Sequence, residues 1–120
     1  MAFLSEQQLP KEEIAKGRNR YLGHTDTLMM VVIDFHDGPS AAPDPPHSHP
    51  HEQVSYVAAG ELVVFIGEEN RRLGPGDMFT VPGGVPHTVQ LLSPHVRLVD
   101  TFTPLREEFL ASQKVVQKHL

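Results

Sequence analysis

Residues 47–53 read His47-Ser48-His49-Pro50-His51-Glu52-Gln53, and residues 81–87 read Val81-Pro82-Gly83-Gly84-Val85-Pro86-His87. The first stretch places three histidines within five positions and runs straight into Gln53 to Ala59, which alternates and reads as a strand. Side chains two apart on a strand project from one face, so His47 and His49 can reach a single metal ion together. Strict alternation would add His51. Pro50, however, cannot donate to a strand ladder and marks a break or bulge, so the role of His51 stays open. Neutral imidazole suits zinc, copper, iron and nickel. The competing reading is a surface loop in which the histidines are merely polar.

Outward from this stretch, short apolar runs alternate with turn signals. Thr27 to Phe35 reads as a buried strand, and Ile14 to Leu22 reads weakly as another, behind a loose polar arm over 1–13. Gly38 to Pro46 is a loop by its Pro and Gly content. After Gln53 to Ala59, Gly60 marks a turn expected to close a hairpin with Glu61 to Ile66. Further strands are expected over 71–73, 78–81, 87–92 and 96–103, with turns at 67–70, at Gly74-Pro75-Gly76-Asp77, at Pro82-Gly83-Gly84 and at Ser93-Pro94. Many short strands at near-regular spacing read as an all-β sandwich or barrel. The segment 105–119 lacks Gly and Pro, with Glu107 and Glu108 early and Lys118 and His119 late, and predicts a short C-terminal helix.

Composition narrows the function. With 120 residues, the chain has room for one domain, expected over 1–120 with a barrel core at about 27–103. Net charge is −5 and the ten Lys and Arg are scattered, which argues against nucleic acid as a partner. No cysteine is present, so thiolate catalysis and Cys zinc sites are excluded. No apolar run approaches membrane-spanning length, and Met1 to Lys11 lacks a signal-peptide pattern, so no membrane partner and a cytoplasmic location are expected.

On the last strand, Val96, Leu98, Asp100 and Phe102 share a face by alternation, and three of the four are apolar. An aspartate there is buried, which costs free energy unless it is paired or useful. A neighbouring Arg or backbone N–H satisfying Asp100 is the plain reading. Arg106, after Pro104, is placed to be its partner or to clamp a substrate carboxylate.

These residues resemble the cupin superfamily, small jelly-roll β-barrels with two sequence motifs. His47, His49, Gln53 and Gly60 fall at the positions of the first, with Gln where Glu is commoner and with Gly38 out of register for the leading glycine. Gly76, Pro82, Gly84 and His87 match the second, with Leu91 where Asn is usual. The resemblance implies one divalent transition metal (Ni, Zn, Mn or Fe) held by His47, His49, Gln53 and His87. Ser55 and Val57 share the parity of Gln53 and are expected in the same cavity. A neutral carboxamide leaves the ion its full charge, favouring Lewis-acid over oxygen-activating chemistry.

The tail Asp100-Thr101-Phe102-Thr103-Pro104-Leu105-Arg106, with the 47–53 stretch, is further similar to KdgF-type cupins of pectin and alginate breakdown. That likeness implies conversion of 4,5-unsaturated monouronates to linear keto sugar acids, with Asp100, Phe102 and Arg106 in catalytic or substrate-binding roles, a sugar-acid substrate and a homodimer. Two other classes are weighed. A metal-dependent dioxygenase or isomerase of another small molecule would show itself by iron and oxygen uptake. A non-catalytic small-molecule-binding module would bind without turnover. The extension Ala111 to Leu120 is outside the pattern. His24, His36, His95 and His119 show no ligand spacing and are read as surface or satisfied polar groups.

Overall fold

In the computed structural model, which describes residues 2–111, the N-terminal stretch is a hairpin rather than the single strand expected over 14–22. Gly17, at φ +80°, turns the chain between β1 (Glu12–Ala15) and β2 (Arg18–His24). Only glycine adopts that region without a steric cost. The residues of 18–22 still alternate, but their strand begins beyond the turn. The remaining strands are β3 (Met29–Phe35), β4 (Glu52–Ala59), β5 (Leu62–Ile66), β6 (Glu69–Leu73), β7 (Met78–Val81), β8 (His87–Leu91) and β9 (Val96–Thr103).

They form two antiparallel sheets, β1-β2-β3-β9-β4-β7 and β6-β5-β8. The architecture is an all-β jelly roll, with no hydrogen-bonded closure joining the two sheets into one barrel. The expected β4–β5 hairpin is therefore corrected. β4 pairs with β7 and β9, whereas β5 pairs with β6 and β8. Gly60 carries the chain from one sheet to the other. It sits at φ +80°, and a Cβ there would lie 2.1 Å from the His95 carbonyl oxygen. The corner is tight because the crossing chain passes directly over the segment entering β9.

Alternation decides which side chains go inside. In β4 the buried positions are Gln53, Ser55 and Val57; in β9 they are Val96, Leu98, Asp100 and Phe102. The apolar members join two clusters. One contains Phe35, Val57, Leu62, Phe79 and Leu98; the other contains Leu22, Met29, Val31, Phe102 and Leu110, and Ile33 packs against both. Full burial of each Val or Leu contributes roughly 1.5–3 kcal/mol, so these two clusters carry the fold. The polar trio Gln53, Ser55 and Asp100 is set into the same inner faces.

The C-terminal helix starts at residue 107, two residues later than expected, and is described to residue 111. The delay has a cause. The Leu105 carbonyl accepts a hydrogen bond from His51 Nε2 at 3.2 Å, and helical bonding begins with Phe109 N–H donating to the Arg106 carbonyl at 3.0 Å. The expected remainder of the helix and most of the extension Ala111 to Leu120 lie outside the described residues. Among the described residues, no helix is long and apolar enough to cross a membrane.

The corner at Gly60 gives a stability test. Gly60→Ala combines a left-handed φ with a backbone clash and should cost about 2 kcal/mol or more in urea unfolding. Gly84→Ala, with φ +81° and nothing within 4 Å of the added Cβ, should cost only about 1–2 kcal/mol. Equal costs would remove the argument from close approach.

Candidate metal centre and its buried carboxylate

The two motifs meet because the Pro-rich loop runs along β8. Ser40 N–H donates to the Leu91 carbonyl and Asp44 N–H to the Val89 carbonyl. At the end of this ladder His47 and His87 exchange backbone bonds, His47 N–H to the His87 carbonyl at 3.1 Å and His87 N–H to the His47 carbonyl at 2.9 Å. A segment rich in proline cannot form a full strand, because each proline lacks a donor. The donors that remain suffice to bring His47 opposite His87. Their rings lie 4.3 Å apart between centroids, and His49 lies 4.8 Å from His87.

One ligand nitrogen from each of His47, His49 and His87 lies within 4.8 Å of the others. Backbone carbonyls fix the ring protons of two of them. His49 Nδ1–H donates to the His51 carbonyl at 3.0 Å, and His87 Nδ1–H donates to the Val85 carbonyl at 3.0 Å. A carbonyl can only accept, so in each neutral ring Nε2 is a bare lone pair. His87 Nε2 is buried and has no hydrogen-bond partner among the described residues. A buried polar atom without a partner calls for one, and a cation supplies it.

Gln53 adds the fourth group. Its Nε2 donates to Ser55 Oγ at 2.9 Å, and Ser55 Oγ–H donates to Asp100 Oδ1 at 2.6 Å. With its amide N–H so engaged, Gln53 turns Oε1 toward His49 Nε2 at 3.1 Å. A neutral His49 has one ring proton for two acceptors, the His51 carbonyl and Gln53 Oε1; with that proton on Nδ1, the Nε2 and Oε1 lone pairs converge, the arrangement a cation would bind. His47, His49, His87 and Gln53 thus fit the group that a divalent transition metal requires, three imidazole nitrogens and one oxygen. The carbonyls of His51 and Val85 play the orienting role that outer partners play at metal-bound histidines.

His51 itself is not in this group. Its carbonyl orients His49, and its ring holds Leu105 and so the tail. Burial, followed by the neighbouring His87 and His49, holds the His47 ring below its ordinary value; burial and then Arg106 do the same for His49. Both rings therefore stay neutral, the form that binds metal.

Asp100 is buried, and burial pushes its carboxyl up to about 6, opposed by the Ser55 hydroxyl and the charge of Arg106. The expectation that Asp100 faces the core is met, and its partner is a serine rather than an arginine. Arg106 also lines the cavity. Its Nε donates to Glu108 and its guanidinium lies over Phe102 at 5.1 Å and over Phe109 at 4.3 Å. The shared cavity is about 310 Å³ and contains His47, Gln53, His87, Asp100, Phe102 and Arg106 in its wall. A larger depression of about 520 Å³ lies along β5, β6 and β7 but, among the described residues, holds no cluster of metal-binding groups.

Sequence reasoning missed three wall residues. Arg18 and Arg20 line the cavity from β2, Arg18 paired with Asp37 and Asp44, and Arg20 with Glu12. Phe109 stacks under Arg20 at 3.8 Å. The alternation of Arg18, Arg20 and Leu22 was a usable signal.

Three imidazoles converging in a two-sheet jelly roll are the mark of a cupin, and the chain belongs to that family: the cupin-domain model matches residues 33–101. Over nearly its whole length it is similar to the pectin degradation protein KdgF of Dickeya dadantii, at 36% identity over 110 residues, 90% of this chain and 97% of that one. Among solved structures, KdgF from Halomonas sp. superposes with a TM-score of 0.81 at 33% identity, covering 90% of this chain and 99% of that one. An RmlC-like cupin from Shewanella frigidimarina superposes at 0.82 with 37% identity, covering 91% and 96%.

Two outcomes follow. His49→Ala removes a nitrogen that no neighbour replaces, so elemental analysis should find about one transition-metal ion per chain fewer in the variant than in the parent under the same loading; undiminished metal would refute the ligand set. For Asp100, the folded value lies above the unfolded one of 3.8. Its contribution to stability is therefore full below about pH 3.8 and lost as pH rises through about 6. In chelator-treated protein, Asp100→Asn should gain about 3 kcal/mol over the parent at pH 8 and almost nothing at pH 4, read from urea unfolding at each pH.

Proposed function

We propose that this chain is a metal-dependent cupin enzyme that converts 4,5-unsaturated monouronates to linear keto sugar acids. The observation that carries the reading is Asp100, among the described residues the one acid buried on the cavity wall, hydrogen-bonded through Ser55 to the Gln53 of the metal group. Similarity to the pectin degradation protein of Dickeya dadantii and to KdgF from Halomonas sp. supports the substrate class.

The reaction is an isomerisation. A proton leaves the anomeric hydroxyl, the bond from that carbon to the ring oxygen breaks, and the enol carbon gains a proton. Nothing is added or lost. A bound divalent metal supplies Lewis acidity to substrate oxygens. The remaining work falls to the chain. Asp100, raised to about 6, is a carboxyl whose protonated and ionised forms both lie within reach near neutral pH, the property a proton carrier needs. Ser55 holds Asp100 Oδ1 and leaves the other oxygen for the substrate. Arg106 receives the uronate carboxylate in a two-pronged contact, taking it in exchange for Glu108. Phe102 packs edge-on against His49, with centroids 5.7 Å apart, and gives the sugar ring an apolar wall.

The test is the ultraviolet absorbance of the conjugated enol. Freshly released unsaturated galacturonate, and the corresponding alginate product, should lose absorbance faster with the metal-loaded protein than without it. Asp100→Asn should lower turnover by about 10²–10⁴-fold while its metal content stays unchanged. Full activity in that variant would sink the proton-carrier role. Oxygen uptake with iron would favour a dioxygenase, and saturable binding without absorbance change would favour a binding module.

A further inference from the structure

A second cluster of metal-binding side chains lies on the outer face of the six-stranded sheet. The β3–β9 register pairs Asp34 with Arg97 and Phe35 with Val96, so the next pair outward is His36 with His95. Asp34 and His36 lie two apart along the β3 segment, and His95 and Arg97 two apart along the β9 segment. All four therefore belong to the face opposite Asp100 and the cavity. From His95 to Phe102 is seven residues, about 23 Å of extended strand. The two clusters are separate.

The geometry is that of an assembled site. His95 Nε2–H donates to Asp34 Oδ1 at 2.8 Å. Arg97 grips the same carboxylate through Nε to Oδ1 at 2.9 Å and Nη2 to Oδ2 at 2.8 Å. Those bonds hold Asp34 down at about 2, Arg97 being the main cause, so it is ionised at every working pH. The His36 and His95 rings are stacked, 4.6 Å between centroids and 7° from parallel. One ligand atom from each of Asp34, His36 and His95 lies within 4.8 Å of the others. A tetrahedral zinc site, with bonds of about 2.0–2.2 Å, asks for ligand atoms roughly 3.3–3.5 Å apart, within reach of small side-chain rotations at an accessible surface. Two stacked imidazoles do not both carry a positive charge without repulsion, whereas one ion satisfies a lone pair from each.

We propose that Asp34, His36 and His95 form a second divalent-metal site, for an ion of the zinc, nickel or copper class, on the outer face of the sheet. The ion replaces the hydrogen now between His95 Nε2 and Asp34 Oδ1, and that proton moves to His95 Nδ1. His36 gives the third bond and water completes the shell. Arg97 remains on Oδ2 and fixes the carboxylate, so the site costs little reorganisation. Cysteine is absent and the set is two nitrogens and one oxygen, which disfavours soft monovalent ions. This site does not rest on the proposed uronate chemistry.

The test is equilibrium dialysis of the full chain against zinc, with elemental analysis of the bound ion. The parent should bind two ions per chain. The His36→Ala/His95→Ala double variant should bind one and keep its enol-consuming activity, since neither residue touches the cavity. The His47→Ala/His49→Ala double variant should also bind one, now lost on further substitution of His36 and His95. A parent that binds a single ion, or a His36→Ala/His95→Ala variant that still binds two, would overturn the proposal. If the His47→Ala/His49→Ala variant does not fold, the comparison of parent with His36→Ala/His95→Ala decides alone.

Discussion

The contact between His49 Nε2 and Gln53 Oε1, 3.1 Å apart, is the one on which the rest of the centre depends. Neither can turn away. The His51 carbonyl fixes the His49 proton on the far side of its ring, and Ser55 holds the Gln53 amide N–H. The placement of both atoms is over-determined by the surrounding contacts. Here those contacts come from strand β4, whose alternation places Gln53 and Ser55 on one inner face, and from β9, which places Asp100 beside them in register with Ser55. A cation bound between them would be held by both atoms.

That wiring also links the metal to the acid. Gln53 Nε2 donates to Ser55 and Ser55 in turn donates to Asp100, so the Gln53 oxygen is the atom left to face a bound ion. The direction of both bonds suits an ionised Asp100. Burial opposes ionisation, and the compromise is a carboxyl near 6. The centre thus holds an acid at the edge of neutrality at some expense to stability. The two apolar clusters on either side of the cavity supply the stability that offsets it.

Period-two patterns were legible from sequence because each residue's face follows from its neighbours. This put Gln53, Ser55 and Val57 on one inner face and buried Asp100 and Phe102 on the last strand, although Val57 packs into the apolar cluster rather than the cavity wall. His47 and His49 meet instead through the bridge to His87, ahead of β4. The partner of each strand was not legible. Gly60 looked like a hairpin turn, yet a glycine at φ +80° serves a sheet-to-sheet corner as well as a hairpin. Arg18 and Arg20 escaped notice, and the turn at Gly17 was not recognised. His36 and His95 show no spacing in the chain, and only the β3–β9 register brings them opposite each other. The helix start depended on where the Leu105 carbonyl goes, which is set by His51, 54 residues earlier.

The central claim is that an ion sits between the facing lone pairs. X-ray diffraction from crystals of the metal-loaded protein, collected at the ion's absorption edge, tests it directly. The account predicts an anomalous peak about 2.0–2.2 Å from Nε2 of His49 and of His87, from a ring nitrogen of His47 and from Gln53 Oε1. No peak there, or a Gln53 turned to give its amide nitrogen to His49, would contradict it.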